Sequence, residues 1–242
     1  MQVTTQVLEK HWCPMIRLSL CGPLSVSIDE TVLTRKLPGK QGRLLLAILA
    51  YERRPLTKNA LIQTIWPSRA PTNPAADLAA LLSKLKRVLG AEHICTKGEI
   101  RLSVPSDTWI DTEVAKEKLH TAESYLAQER WQDAWIASQV SSHILARVFL
   151  QGIDNSWSNL IRNDLGTLRE RALSCLATTG LMIGGSELPT SERAARALIE
   201  INPYREESWR LLMRCLAALG NKAEAIWQYR KLEELLRNEL DI

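Results

Sequence analysis

The chain has 242 residues, 45% of them hydrophobic and 24% charged, enough for one large core or two smaller ones. Its formal net charge of +4 is unevenly divided: residues 15–105 carry 14 Lys/Arg against 6 Asp/Glu, a net +8, while residues 106–242 carry 16 against 20, a net −4. The five cysteines are scattered without a Cys-x-x-Cys pair or a Cys/His ligand cluster, and no apolar run approaches bilayer length, so a disulfide framework, a metal site and a membrane span are not expected.

Residues 1–14 read as a loosely tied arm without a signal-type apolar segment, and Met15 stands directly before the first patterned strand as an alternative start. A reducing cytoplasm is the expected compartment. From residue 16 the side chains alternate, with Ile16, Leu18 and Leu20, then Leu24, Val26 and Ile28 after a Gly22-Pro23 break. Period two predicts a pair of short strands around a turn, with a weaker third strand over 31–37. Residues 40–51 (KQGRLLLAILAY) predict a buried helix ended by Arg53-Arg54-Pro55. Thr57 caps a short helix over 58–66, and residues 67–73 (PSRAPTN) form a loop with two prolines.

The next stretch, PAADLAALLSKLKRVLG at 74–90, organises the basic half. Leu78, Leu81, Leu82, Leu85 and Leu89 recur at three- and four-residue steps, the apolar stripe of a helix packed on a core. Pro74 suits the first turn and Gly90 the position past the last. The opposite face carries Ala76, Ala80, Ser83, Lys84 and Arg87, basic only in its C-terminal half. Two short runs, 93–96 and 99–104, then flank Lys97-Gly98 and predict a β-hairpin. Strands, three helices and a hairpin in about ninety residues follow the plan of a winged helix-turn-helix, whose second helix enters the DNA major groove while the hairpin reaches the adjacent groove or backbone.

From Trp109 onward no strand pattern is visible. Helices are expected at 112–128, 131–146, 157–182, 190–201, 205–219 and 221–238, broken by Gly184-Gly185 and Gly220. In the last pair Trp209, Leu212, Leu216, Gly220, Ala225 and Tyr229 fall at tetratricopeptide-type spacing, with Trp131 and Ala134 hinting at the same pattern upstream. The expected fold is mainly α with a small β part: an arm (1–14), a winged helix-turn-helix (15–105) and an all-α tetratricopeptide-like domain (106–242).

Phosphate contacts need long cationic donors that displace condensed counterions. The candidates are Lys40, Arg43, Arg53, Arg54, Lys86, Lys97 and Arg101, with Ala76, Ala80, Ser83, Lys84 and Arg87 on the groove face. Lys84 and Ser83 are the polar base readers there, and the alanines are suited to thymine methyls. Trp131, Trp135, Trp157, Trp209 and Trp227 are expected in the core, and His93, His120 and His143 as structural or exposed. No nucleophile–base pair, Gly-rich phosphate loop or singled-out carboxylate pair is present, so neither enzyme activity nor a cofactor is expected.

Four stretches together carry a family resemblance: LCGPLSVSID near the start, KLPGKQGRLLLAILA, SKLKRVLG, and ALIEINPYREESWRLLMRCLAALGNKAEAIWQYRKLEELLRNEL at the C-terminus. Over about 15–240 the chain resembles the Streptomyces antibiotic regulatory protein family, bacterial activators with an OmpR-like winged helix followed by a tetratricopeptide-like bacterial transcriptional activation domain. The resemblance implies binding to double-stranded promoter DNA, often at direct repeats and so as two subunits on repeated half-sites, and recruitment of RNA polymerase. One departure bears on readout: members usually place Arg, Asn or Gln early in the recognition helix, where this chain has Ala75, Ala76, Asp77 and Ala79. That departure favours an alternative, a protein-interaction module that has lost sequence-specific readout.

Overall fold

The computed structural model describes residues 15–240, so the arm expected over 1–14 lies outside the described residues. The chain divides into two compact units: residues up to Ser19 with Leu24–Ile110, and Leu20–Pro23 with Asp111–Ile242.

The first unit opens on β1 (Ile16–Ser19) and β2 (Ser25–Ile28), antiparallel in the register Ile16↔Ile28 and Leu18↔Val26. Ile16, Leu18 and Val26 point to the buried face, as period two requires. A tight turn with Asp29 and Glu30 at positive φ (48° and 67°) leads to β3 (Thr31–Val32). The third strand expected over 31–37 stops there. Leu33 and Leu37 are both buried, a four-residue spacing served by a 3-10 turn over Thr34–Lys36, and the Thr34 hydroxyl takes the Val26 N–H at 3.1 Å. The sheet is completed by β6 (Trp109–Ile110), which runs parallel to β1 with Leu18 beside Ile110, giving the order β3-β2-β1-β6. This strand corrects the expectation of no strand after Trp109. It also closes the first unit at Ile110 rather than at residue 105, because Trp109 and Ile110 are hydrogen-bonded to β1.

Between sheet strands lie α1 (Lys40–Glu52), α2 (Lys58–Ile65) and α3 (Pro74–Leu89), followed by β4 (Ile94–Cys95) and β5 (Arg101–Leu102). Helix α1 is buried almost continuously from Leu44 to Ala50. Thr57 caps α2 through the Ala60 N–H at 3.2 Å. The two-residue strands pair antiparallel, Ile94↔Leu102 and Cys95↔Arg101, with Gly98 at φ 77° in the turn.

The second unit holds α4 (Asp111–Ala127), α5 (Trp131–Leu145), α6 (Ser156–Ile183), α7 (Leu188–Ile201), α8 (Glu206–Ala218) and α9 (Lys222–Leu240), each packed chiefly on the next. Trp135, Leu176, Leu198, Leu212 and Leu216 form its core, and Ala225 packs against that cluster. Gly220, at φ 83°, makes the α8–α9 turn. The Gly22-Pro23 break is more than a hairpin turn. Leu20–Pro23 belongs to this unit, where Cys21 bridges Phe149 and the Gly22 N–H donates to the Val148 carbonyl at 2.8 Å. Several aromatics depart from expectation: Trp227 is 57% and Tyr229 56% exposed, because Gln228 and Leu232 take the inward positions of α9, and Trp131 and Trp157 are only half-buried.

Candidate nucleic-acid interface

Helix α3 forms where its sequence dictates. The Asn73 carboxamide oxygen accepts the Ala76 N–H at 3.1 Å, Pro74 fills the first turn, and Gly90 at φ 104° receives the chain past the last. Asp77 in the first turn and Lys86 and Arg87 in the last complement the helix dipole. Leu78, Leu82, Leu85 and Leu89 are buried, while Leu81 is only half-buried, at the edge of the stripe. The helix packs on α1 and α2, which fixes which face remains outside.

That outside face is the one expected to meet a groove. Ala76, Ala80, Ser83, Lys84 and Arg87 are all exposed. Its N-terminal half presents methyl groups and its C-terminal half a hydroxyl, an ammonium and a guanidinium. Lys86 is half-buried, and its Nζ donates to Thr96 Oγ1 at 2.7 Å, linking α3 to the residue after β4. Lys97 is exposed in the hairpin turn and Arg101 is exposed on β5.

The remaining predicted cations are more scattered. Lys40 is exposed at the first residue of α1, and no acidic side chain occupies that first turn. Arg43 is half-buried, and its Nε is shielded without a hydrogen-bond partner. Arg53 is the left-handed residue closing α1 at φ 54°. Arg54 is exposed and paired with Glu52 at 2.9 Å, which offsets part of its charge. Leu56 and Ile100 exchange two backbone hydrogen bonds of 2.8 Å, so the segment carrying Arg53 and Arg54 is tied to the hairpin. The sequence reading passed over Lys58, at the exposed start of α2, and Arg69, exposed in the loop before α3. Only their charge and their position at or just before a helix start marked them.

Among the described residues, no group of three or more His, Cys, Asp or Glu is arranged to hold a metal ion, and no helix is long and apolar enough to cross a membrane. His93 is buried with Nδ1 3.2 Å from the Ser103 carbonyl, a structural position, and His120 and His143 are exposed. Burial pushes the thiol of Cys21 up to about 12 and that of Cys175 up to about 11, which keeps both neutral.

Residues 110–242 match the family model described as the bacterial transcriptional activator domain. The chain is 24% identical over 244 residues to the transcriptional regulatory protein EmbR of Mycobacterium tuberculosis, covering 92% of this chain and 58% of that protein. It is 26% identical over 245 residues to the regulatory protein AfsR of Streptomyces coelicolor, covering 97% of this chain and 23% of that one. The chain thus spans little more than half of one relative and about a quarter of the other. A solved structure of Mycobacterium tuberculosis EmbR, in complex with a low-affinity phosphopeptide, has the same fold, with a TM-score of 0.79 at 22% identity over 95% of this chain and 62% of that one. The chain therefore belongs to the bacterial transcriptional activator domain family.

Proposed function

We propose that this chain is a cytoplasmic transcription activator that binds double-stranded promoter DNA through a winged helix-turn-helix. In this reading α2 and α3 are the helix pair, α3 enters the major groove, and the β4–β5 hairpin is the wing. The observation that carries it is the outward face of α3, where Ser83, Lys84 and Arg87 are exposed on a helix whose other face is committed to leucine packing. The net +8 of residues 15–105 supports it, because counterion release rewards cations placed along phosphate. Lys40, Arg43, Arg53, Arg54, Lys86, Lys97 and Arg101 would then lie toward backbone, with Arg101 and Lys97 on the wing. The second unit is read as tetratricopeptide-like, a scaffold that contacts RNA polymerase or another subunit. Buried Trp209, Leu212 and Leu216 opposite Ala225 support that repeat pattern.

The alanine-rich start of α3 limits direct readout, since a good bidentate base contact is worth about 1–3 kcal/mol and few such groups are present. Useful specificity then rests on two subunits over repeated half-sites or on DNA shape read by the wing. The same alanines favour a second reading, a protein-interaction module without sequence-specific binding. Fluorescence anisotropy of the full chain, titrated onto its own upstream duplex and a scrambled one, separates the two. Tighter binding to the upstream duplex is expected. No duplex binding at low salt by a folded protein removes the activator reading.

A further inference from the structure

The helical unit carries a cluster of arginines that the DNA-binding reading does not use. A cleft of about 250 Å³ opens between the end of α5, the loop that follows it and one face of α6. Arg162, Leu165, Gly166 and Arg169 line it at helical spacing, and Arg147 and Phe149 come from the loop. Three arginines thus line one cleft in a region whose net charge is −4.

They are not equivalent. Arg162 is saturated, with Nε on the Phe149 carbonyl (2.9 Å), Nη1 on Asp154 (2.6 Å) and Asn159 (2.9 Å), and Nη2 on the carbonyls of Leu150 (3.1 Å) and Ile153 (3.0 Å). It builds the rim of the cleft and has no donor to spare. The Arg147 guanidinium has no hydrogen bond or ion pair among the described residues, and its field reaches the buried Asp111. Arg169 has its Nε buried without a partner. A buried unpaired donor is costly, and native proteins normally satisfy it with protein, water or ligand.

Gly166 supplies a separate observation. A glycine inside a helix costs about 1 kcal/mol relative to alanine, and here no neighbour demands it. A Cβ at Gly166 would meet nothing within 4 Å, whereas one at Gly180 in the same helix would meet Trp135 at 2.5 Å. The bare backbone at 166 leaves the cleft wall open.

The geometry points to a binding site for a small organic anion, its carboxylate or phosphate head held by Arg147 and Arg169 and its apolar body against Leu145, Phe149 and Leu165. An engineered cavity of about 150 Å³ holds benzene, so this cleft admits one ring with its acid group.

Calorimetric titration of the full chain with phenyl phosphate and with benzoate tests the site, with benzyl alcohol as the neutral control. One-to-one saturable binding of at least one anion is expected, and the stronger of the two identifies the head group. Arg169→Gln should weaken it about tenfold or more, as loss of a charge-assisted hydrogen bond does. Gly166→Met, which favours the helix and fills the cleft, should abolish it with the circular dichroism spectrum unchanged. Lys84→Ala, on the α3 face, should leave it unchanged. Absence of saturable binding of both anions overturns the proposal, as does binding that survives Gly166→Met or that is lost in Lys84→Ala.

Discussion

The ammonium of Lys86 donates to the hydroxyl of Thr96 at 2.7 Å, joining the last turn of α3 to the residue that follows β4. The contact is half-buried, so it is screened less than a surface pair. Lys86→Met keeps the aliphatic stem, and Thr96→Val keeps the shape. Each should cost about 0.5–1.5 kcal/mol in urea denaturation. The double variant should cost about the same as either single one, because both remove one interaction. Additive losses would show that the two side chains act separately and that α3 and the hairpin are held by apolar packing alone.

Lys84 and Arg87 lie exposed on the outward face of α3, one turn apart. A cation that acts only on phosphate weakens every duplex alike, and its loss lowers the slope of log affinity against log salt by about 1. Arg87→Ala is expected to behave this way. Lys84→Ala, nearer the middle of the helix, should instead flatten the preference for the upstream duplex over its variants. Titrations at several salt concentrations distinguish the two roles, and equal salt slopes for wild type and Arg87→Ala would remove Arg87 from the interface.

The leucine spacing of 78, 82, 85 and 89 was enough to place α3 and its core face, because a helix repeats locally and each residue reports on its neighbours. The hairpin and the six later helices were legible for the same reason, with boundaries within a few residues. What stayed hidden depends on distant partners. Trp109–Ile110 is two residues long and becomes a strand only because β1 lies beside it. Nothing local in the sequence marks Asp111, whose buried carboxylate is held by the backbone of Leu20, 91 residues away. Trp227 reads as core by residue type alone, yet the phase of α9 turns it outward. Of the candidate interface, the exposed positions followed from helical phase, while the pairing of Lys86 with Thr96 and of Arg54 with Glu52 did not.

The two glycines of α6 should respond to alanine with opposite signs. At Gly180 the new Cβ would lie 2.5 Å from Trp135 and 2.9 Å from Ser191, and both neighbours belong to packed helices. Overpacking of this kind costs about 1–3 kcal/mol, more than the helix propensity gained. At Gly166 the space is open, so alanine should stabilise by about 0.5–1 kcal/mol. Thermal melts should show Gly180→Ala below wild type and Gly166→Ala above it. A destabilised Gly166→Ala would mean that the cleft wall tolerates no side chain even when empty.

Asp111 is fully buried, and its carboxylate accepts three backbone N–H groups: Leu20 at 2.8 Å, Cys21 at 2.9 Å and its own neighbour Thr112 at 2.8 Å. Removing it strands all three donors, so Asp111→Ala should cost about 3 kcal/mol or more. Asp111→Asn keeps the shape but turns an amide toward a donor, and should cost less. Burial raises the Asp111 carboxyl above the ordinary 3.8, and the three N–H groups and the Arg147 charge only partly pull it back. The folded chain therefore holds this proton at a pH where the unfolded chain has released it. Between 3.8 and the raised value the native state binds more protons, so the contribution of Asp111 falls as pH rises through that window. The stability gap between wild type and Asp111→Asn should accordingly be widest in acid and narrow as pH rises above 3.8, other titrating groups being common to both. Urea denaturation of the pair across that range measures the gap directly. A gap that widens with pH would show that the donors, and not burial, dominate this carboxylate.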